Sequence, residues 1–391
     1  MIEPVIKSDA LIVGGGIAGL VTALECLQSG QRVTLVDRDR RDRLGGLALW
    51  AFGGMALIDT PLQRRMGIPD SLEIALRDWI RFGELDDSEV LPRQWARHYV
   101  ERSTPDVYDW VRGFGLKFLP AVHWVERGRN GEGNSRPRYH LLWGTSRLLT
   151  LRLIEAVENA GRGGRLTLLS RVRITGLDHG GGAVSGAVGI SEENGEIVRF
   201  QAPVVILAMG GINGGHDETR ANWPPERPMP ATMLNGAHPF ADGKLHRLAA
   251  TYGGQITHAG DMWNYAAGIP HPQPHFNGHG LSLVPCKSAL WLDYRGRRIG
   301  PEPLVTGFDT HDLCRRVAAQ EKPWTWHLLN WRIGAKEFAI SGAEHNQRIR
   351  DRQFVAFLYE TLFGNHRLLR QMNATVRSFW STTRCRGWRR K

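Results

Sequence analysis

The apolar positions of the first forty residues change period twice. Ala10 to Val13 is an unbroken apolar run entering glycines, Ile17 to Leu27 repeats apolar residues at helical spacing until Ser29 and Gly30 interrupt it, and Gln31 to Asp37 turns apolar-rich again. Strand, tight turn, helix and strand within about thirty residues predict a βαβ unit of the dinucleotide-binding kind. Ser71 to Gly113 is predicted helical, as is Leu148 to Ala160. Leu166 to Leu177 and Ala187 to Phe200 alternate like strands of an antiparallel excursion, and Val204 to Ala208 reads as a buried strand ending at Gly210 and Gly211. From about Asn222 no single period persists, and Pro, Trp and His recur in Trp223 to Pro230 and Pro270 to His279; a second domain is expected there.

With 391 residues, 42% hydrophobic and 14 Trp, the chain can bury a sizeable core in two or three units. Cys26, Cys286, Cys314 and Cys385 form no CxxC pair, which argues against structural zinc and a disulfide framework and fits a reducing, cytoplasmic setting. No apolar run has the roughly 18 residues a membrane span needs. The formal charge of +11 owes six units to Arg377, Arg384, Arg386, Arg389, Arg390 and Lys391, and no acid follows Glu360. The remaining +5 is spread among acids, so a nucleic-acid partner is not expected.

Gly14-Gly15-Gly16-Ile17-Ala18-Gly19 has the GxGxxG spacing. Gly14 permits the turn, Gly16 lets backbone amides approach a pyrophosphate at the helix amino terminus, and Gly19 lets helix and strand pack closely. Asp37, eighteen residues after Gly19, stands where an acid accepts from adenosine ribose hydroxyls. NAD and FAD share this fingerprint. The Gly45-Gly46 pair suits a long, extended cofactor passing close to the backbone, though an ordinary flexible turn has the same composition.

Tyr265, in Met262-Trp263-Asn264-Tyr265, is a candidate catalytic phenol in an aromatic, apolar setting; a buried tyrosine bonded to a carbonyl is the competing reading. Arg138 and His140 stand two apart, on one face of an extended strand, and could orient a carboxylate or carbonyl or else form a structural salt bridge. His271, His275 and His279 are four apart, but Pro270, Pro272 and Pro274 preclude the helix that would align them, so no metal is expected. Neither a GxSxG elbow nor a Gly-Lys-Ser/Thr loop occurs.

The run Leu44 to Gly54, then Arg64-Arg65-Met66-Gly67-Ile68, Gly133-Asn134-Ser135, Arg138 with His140, Trp143-Gly144-Thr145, Val204 to Gly211 with Gly214, Arg220 to Pro224, Asp242-Gly243, Trp291-Leu292-Asp293 with Gly296 to Arg298, Gly307 to Thr310 and Lys336 to Ala339 resembles FAD-dependent dehydrogenases related to fumarate reductase flavoproteins and 3-ketosteroid Δ1-dehydrogenases. The resemblance covers roughly residues 8 to 373. It implies an α/β fold: a Rossmann-like FAD-binding domain in 1–222, including the antiparallel excursion at about 166–200, with an inserted α+β substrate-capping domain in 223–345 and the start of a return in 346–373. It also implies that Gly14, Gly15, Gly16, Ala18, Gly19, Asp37, Arg38, Gly45 and Gly46 hold FAD, that Val172 lies where a backbone contact to adenine is usual, and that Ala208, Gly210 and Gly211 end the strand before the cap. The implied reaction is hydride transfer between flavin and a small organic substrate such as a 3-ketosteroid-like compound, with an electron acceptor left unassigned. An NAD-dependent dehydrogenase and a non-catalytic remnant with a basic tail are the alternatives.

Family members run well beyond this length and return to the FAD domain with a further glycine-rich segment. Resemblance ends at about Thr375, and the reading frame one base back admits a phrase similar to the family's continuation, so a frameshift near residue 374 and an out-of-frame tail over 374–391 are expected. Such a chain is expected to retain FAD weakly or not at all.

Overall fold

The computed structural model describes residues 5–129, 131–302, 304–305, 307–376 and 379. The predicted unit is β1 (Ala10–Val13), α1 (Ile17–Gln28) and β2 (Val33–Val36). After a long helical excursion come α2 (Thr145–Ala160) and β3 (Leu166–Leu169), then the antiparallel β4 (Val172–Gly180), β5 (Ala183–Ser191) and β6 (Ile197–Gln201), and finally β7 (Val204–Leu207). The main sheet is all parallel in the order β7-β1-β2-β3, with Val13 paired to Leu207 on one side and to Val36 on the other.

The central strands β1 and β2 are buried throughout, which explains their unbroken apolar runs, whereas β7, expected to be buried, lies at the end of the strand order and leaves Val204 half exposed. Because successive side chains alternate, Ile12, Val33 and Leu35 meet Leu20, Ala23, Leu24 and Leu27 of α1 and Leu149, Leu153 and Val157 of α2. Leu11, Val13 and Val36 point the other way, onto Val172, Ile174, Ala187 and Phe200 of the antiparallel sheet. Truncating a fully buried leucine such as Leu20 or Leu153 would cost about 2–5 kcal/mol.

The excursion read at 166–200 divides. Leu166–Leu169 joins the parallel sheet and only β4 to β6 are antiparallel, because Arg171 takes a positive φ of 58° and turns the chain where the apolar alternation continues without a break. The helical region before α2 contains Leu72–Phe82, Val90–Arg102 and Trp110–Gly113. A three-stranded sheet of Gly54–Ala56, Tyr139–Trp143 and Lys117–His123 carries the segment after the glycine pair.

Past residue 222 the chain builds small sheets. Gly268–Pro270, Gly280–Val284 and Ala339–Ile340 form one, and Leu290–Leu292 with Trp326–Leu328 another. Ala267, Trp291, Ile299, Leu304 and Leu313 make a core of their own beside it. The chain then enters α3 (Phe354–Phe363) and α4 (His366–Thr375). Residues 374–376 of the expected tail are ordinary helix end, and residues 377, 378 and 380–391 lie outside the described residues.

Candidate active site

A cleft of about 3070 Å³ runs from the glycine turn to the small sheets. Small-ligand pockets are roughly 300–1,000 Å³, so this one has room for a dinucleotide and a substrate together.

At one end, Gly16 is the N-cap of α1, in extended conformation and with no side-chain cap, so the amides of the first helical turn remain available to an anion. A Cβ on Gly16 would meet nothing within 4 Å, whereas one on Gly19 would lie 1.8 Å from the Gly14 carbonyl oxygen and one on Gly14 2.3 Å from that of Ala208. The fixed glycines therefore divide: Gly14 and Gly19 are required by the protein's own packing, and Gly16 leaves open a space that a ligand can use. Gly45 pairs with Gly16 in an isolated parallel bridge, and both Gly45 and Gly46 take positive φ, 120° and 57°. The glycine pair thus lies directly against the nucleotide turn.

Asp37 accepts from Gly15 N–H at 2.5 Å through Oδ2 and from Asp39 N–H at 2.6 Å through Oδ1. Burial pushes its carboxyl above the ordinary range, opposed by those two backbone hydrogen bonds. Each oxygen keeps acceptor capacity for a ribose hydroxyl.

Gly14, Gly16, Asp37, Arg38 and Gly46 line the cleft, as do Val172, Ala208, Gly210 and Gly211. Gly15, Ala18, Gly19 and Gly45 do not line it; Gly15 and Gly19 are buried and Ala18 is solvent-exposed. Val172 N–H is already donated to the Asp37 carbonyl, so it is not available to an adenine. Arg38 pairs with Glu192 at 2.9 Å and Asp242 at 3.3 Å, and lies 4.2 Å above the Phe240 ring. Its position joins the dinucleotide unit to the segment after residue 222, a task that leaves little of the guanidinium for a cofactor.

Arg138 and His140 do not reach the cleft. Arg138 is 4% exposed, with Asp70 at 2.8 Å and Asp78 at 2.7 Å, so its donors are consumed by two buried carboxylates. His140 Nε2 meets Thr60 Oγ1 at 2.8 Å and Nδ1 meets the Arg138 carbonyl at 2.7 Å. Burial pushes this imidazole below its ordinary range. Arg138 precedes the strand Tyr139–Trp143 and His140 lies within it, and both side chains are turned into the protein rather than onto a shared ligand face.

Tyr265 does line the cleft, but it is 53% exposed beside Trp263, so the apolar enclosure expected for it is missing. Enclosure falls on Tyr139, whose ring would collide with any Cβ on Gly54 and whose phenol is pushed up to about 12, first by burial and then by the charge of Tyr265.

The three histidines declined on sequence grounds do come together, in a proline-braced hairpin loop between Gly268–Pro270 and Gly280–Val284. His271 and His279 stack with centroids 4.3 Å apart. Glu344, from the segment after Ala339–Ile340, lies 2.8 Å from His275 Nε2 and 3.6 Å from His271 Nε2. Its carboxyl falls to about 2 through the facing imidazoles of His271 and, at hydrogen-bond distance, His275, against the opposing effect of burial. His279 falls to about 4, first through burial and then through its neighbouring histidines. His271, Glu344 and His345 have ligand-type atoms within 4.8 Å of one another. Yet His271 Nδ1 accepts the Gln273 N–H at 3.0 Å, which leaves the proton on Nε2 and aims it at Glu344; the cluster is a carboxylate anchoring imidazoles. Trp50 stacks on both His238 and His275, at 5.3 and 5.6 Å. Sequence reading gave no role to Trp50, inside the Leu44 to Gly54 run, to Tyr139, between Arg138 and His140, or to His238 and Glu344.

Among the described residues, no helix is long and apolar enough to cross a membrane. The family model described as FAD binding domain matches residues 9–376. Over 366 residues the chain is 37% identical to a KsdD-like steroid dehydrogenase of Mycobacterium tuberculosis, covering 89% of this chain and 64% of that protein. It is 36% identical over 363 residues to the KsdD-like steroid dehydrogenase of Mycolicibacterium smegmatis, with 88% and 66% covered. The chain thus spans less than two thirds of the length of these relatives. Its fold is similar to that of a 3-ketosteroid-Δ4-(5α)-dehydrogenase from Rhodococcus jostii RHA1, with TM-score 0.58, 21% identity and coverage of 78% of this chain and 65% of that one. It is also similar to an open flavocytochrome c3 fumarate reductase, with TM-score 0.61, 18% identity and coverage of 84% and 54%.

Proposed function

We propose, from the premise that this chain belongs to the FAD binding domain family, that it lines the cofactor and substrate sites of an FAD-dependent dehydrogenase acting on a ketosteroid-like substrate. The observation that carries this reading is the continuity of one cleft from the Gly14–Gly19 turn and Asp37 to the aromatic wall of Trp50, Tyr139 and Tyr265. The steroid dehydrogenases of mycobacteria to which the chain is similar support the substrate class.

When bound, the flavin supplies a two-electron hydride acceptor. The chain's own residues would hold it as follows. The open amides at Gly16 and the start of α1 take the pyrophosphate, Asp37 takes the ribose, and Gly45-Gly46 lets the elongated molecule pass. The aromatic wall offers an apolar substrate a surface to pack against and so orients it. Tyr265, within electrostatic reach of Tyr139, is the proposed donor to a substrate carbonyl.

The test is anaerobic mixing of the FAD-loaded chain with 4-androstene-3,17-dione, and separately with a C4 dicarboxylate. Bleaching of the oxidised-flavin absorbance by the steroid alone is the expected result. Bleaching by the dicarboxylate product couple alone would move the chain to the fumarate reductase side of the superfamily.

A further inference from the structure

The imidazole array at the aromatic end of the cleft is more than a packing feature. His275 sits on the loop joining Gly268–Pro270 to Gly280–Val284, and Pro272 and Pro274 restrict that loop. Its Nε2 lies 2.8 Å from Glu344 Oε1. An ionised carboxylate only accepts, so the proton between them is on Nε2, and the uncharged tautomer that this contact selects carries its lone pair at Nδ1. His271 presses on the same carboxylate from the buried side, its tautomer set by the Gln273 amide.

The array is also tied to the cofactor side. Trp50 is four residues beyond Gly46; its indole stacks on the His275 ring and its carbonyl accepts the N–H of Ala343, the residue before Glu344, at 2.7 Å. Imidazole, carboxylate and the segment after the glycine pair are therefore fixed to one another, in a wall that lines the common cleft.

We propose that His275 is the proton-transfer residue of this cleft, with Glu344 as the residue that positions it. The inference rests on the dehydrogenase reading above. In the step it performs, the C–H bond next to the substrate carbonyl breaks and its proton passes to His275 Nδ1. The electron pair of that bond would become the new C=C bond, and the neighbouring hydrogen would leave with two electrons, for which the flavin that Gly16, Asp37 and Gly45-Gly46 would hold is the two-electron acceptor. Glu344 stays ionised and faces the imidazolium so formed, the arrangement by which a carboxylate orients a histidine base.

The experiment uses the full chain loaded with FAD, and has two readouts. Ring ¹⁵N NMR, with the signal assigned by its loss in His275→Asn, is expected to show His275 protonated at Nε2. Glu344→Ala should give a mixture of tautomers, and Glu344→Asp should restore the original pattern. In steady-state turnover of the ketosteroid, His275→Asn is expected to lower kcat by about 10²–10⁴-fold, with KM within about threefold. A wild-type His275 protonated at Nδ1, a tautomer unmoved by Glu344→Ala, or a His275→Asn variant with unchanged kcat each overturns the proposal while leaving the dehydrogenase reading in place. If no ketosteroid reduces the wild-type protein, the dehydrogenase reading fails instead, and the tautomer alone decides whether Glu344 sets the His275 lone pair.

Discussion

The Asp37 carboxylate and the Gly15 amide are joined at 2.5 Å, so the acid ending β2 and the turn ending β1 form one unit across the mouth of the nucleotide site. Burial is the main reason the carboxyl sits above its ordinary value of 3.8. Falling pH therefore protonates Asp37, and removes an anionic acceptor from the ribose, earlier than it would an exposed aspartate. FAD affinity should decline with a midpoint above 3.8. At neutral pH, Asp37→Ala should lose about 1.5–3 kcal/mol of binding, roughly tenfold to a hundredfold, and show no such midpoint. Equilibrium dialysis against FAD across the acid range measures both.

The glycines of the turn should separate into two classes. Gly16→Ala is expected to fold with an unchanged melting temperature and lose FAD, because its Cβ enters ligand space and touches no protein atom. Gly19→Ala, whose Cβ would lie 1.8 Å from the Gly14 carbonyl, should lose about 3 kcal/mol or more, or fail to accumulate as folded protein. Thermal unfolding with and without FAD distinguishes them.

Arg138 should behave as a structural residue. Arg138→Ala leaves Asp70 and Asp78 as buried, uncompensated carboxylates and should cost about 3–5 kcal/mol. Urea denaturation of the apo chain checks this, and an unaltered midpoint would contradict it.

The α3 helix carries Phe354, Val355, Leu358, Tyr359, Leu362 and Phe363 at exposures from 44% to 81%. A contiguous apolar surface of this kind promotes association in water. Replacing Val355 and Leu362 by Glu should raise the concentration at which the chain stays monodisperse in light scattering, with little effect on melting temperature.

The βαβ unit was legible because local signals agree: Leu20, Leu24 and Leu27 recur at helical spacing, and Gly14, Gly16 and Gly19 each occupy a fixed place. The break at Arg171 was not, since apolar alternation continues through a residue whose positive φ only the folded chain reveals. The spacing of His271, His275 and His279 suggested a helix, and the prolines excluded it. Their convergence depends on a hairpin loop and on Glu344, 69 residues beyond His275. Arg138 stands just before the strand Tyr139–Trp143 and His140 within it, and that both are buried away from the cleft is a tertiary matter that their spacing does not show. Tyr265 has aromatic neighbours in sequence and still stands exposed, because enclosure at that end of the cleft is provided to Tyr139.

That the cleft takes FAD is tested by the melting temperature of the apo chain titrated with FAD and, in parallel, with NAD. A ligand bound only by the folded state stabilises it by about 2.7 kcal/mol at a hundred times its Kd, so even weak binding registers when FAD is in excess. A rise of a few degrees is expected with FAD, abolished by Gly16→Ala, and none with NAD at the same concentration. A rise with NAD and none with FAD would refute FAD as the occupant of the cleft.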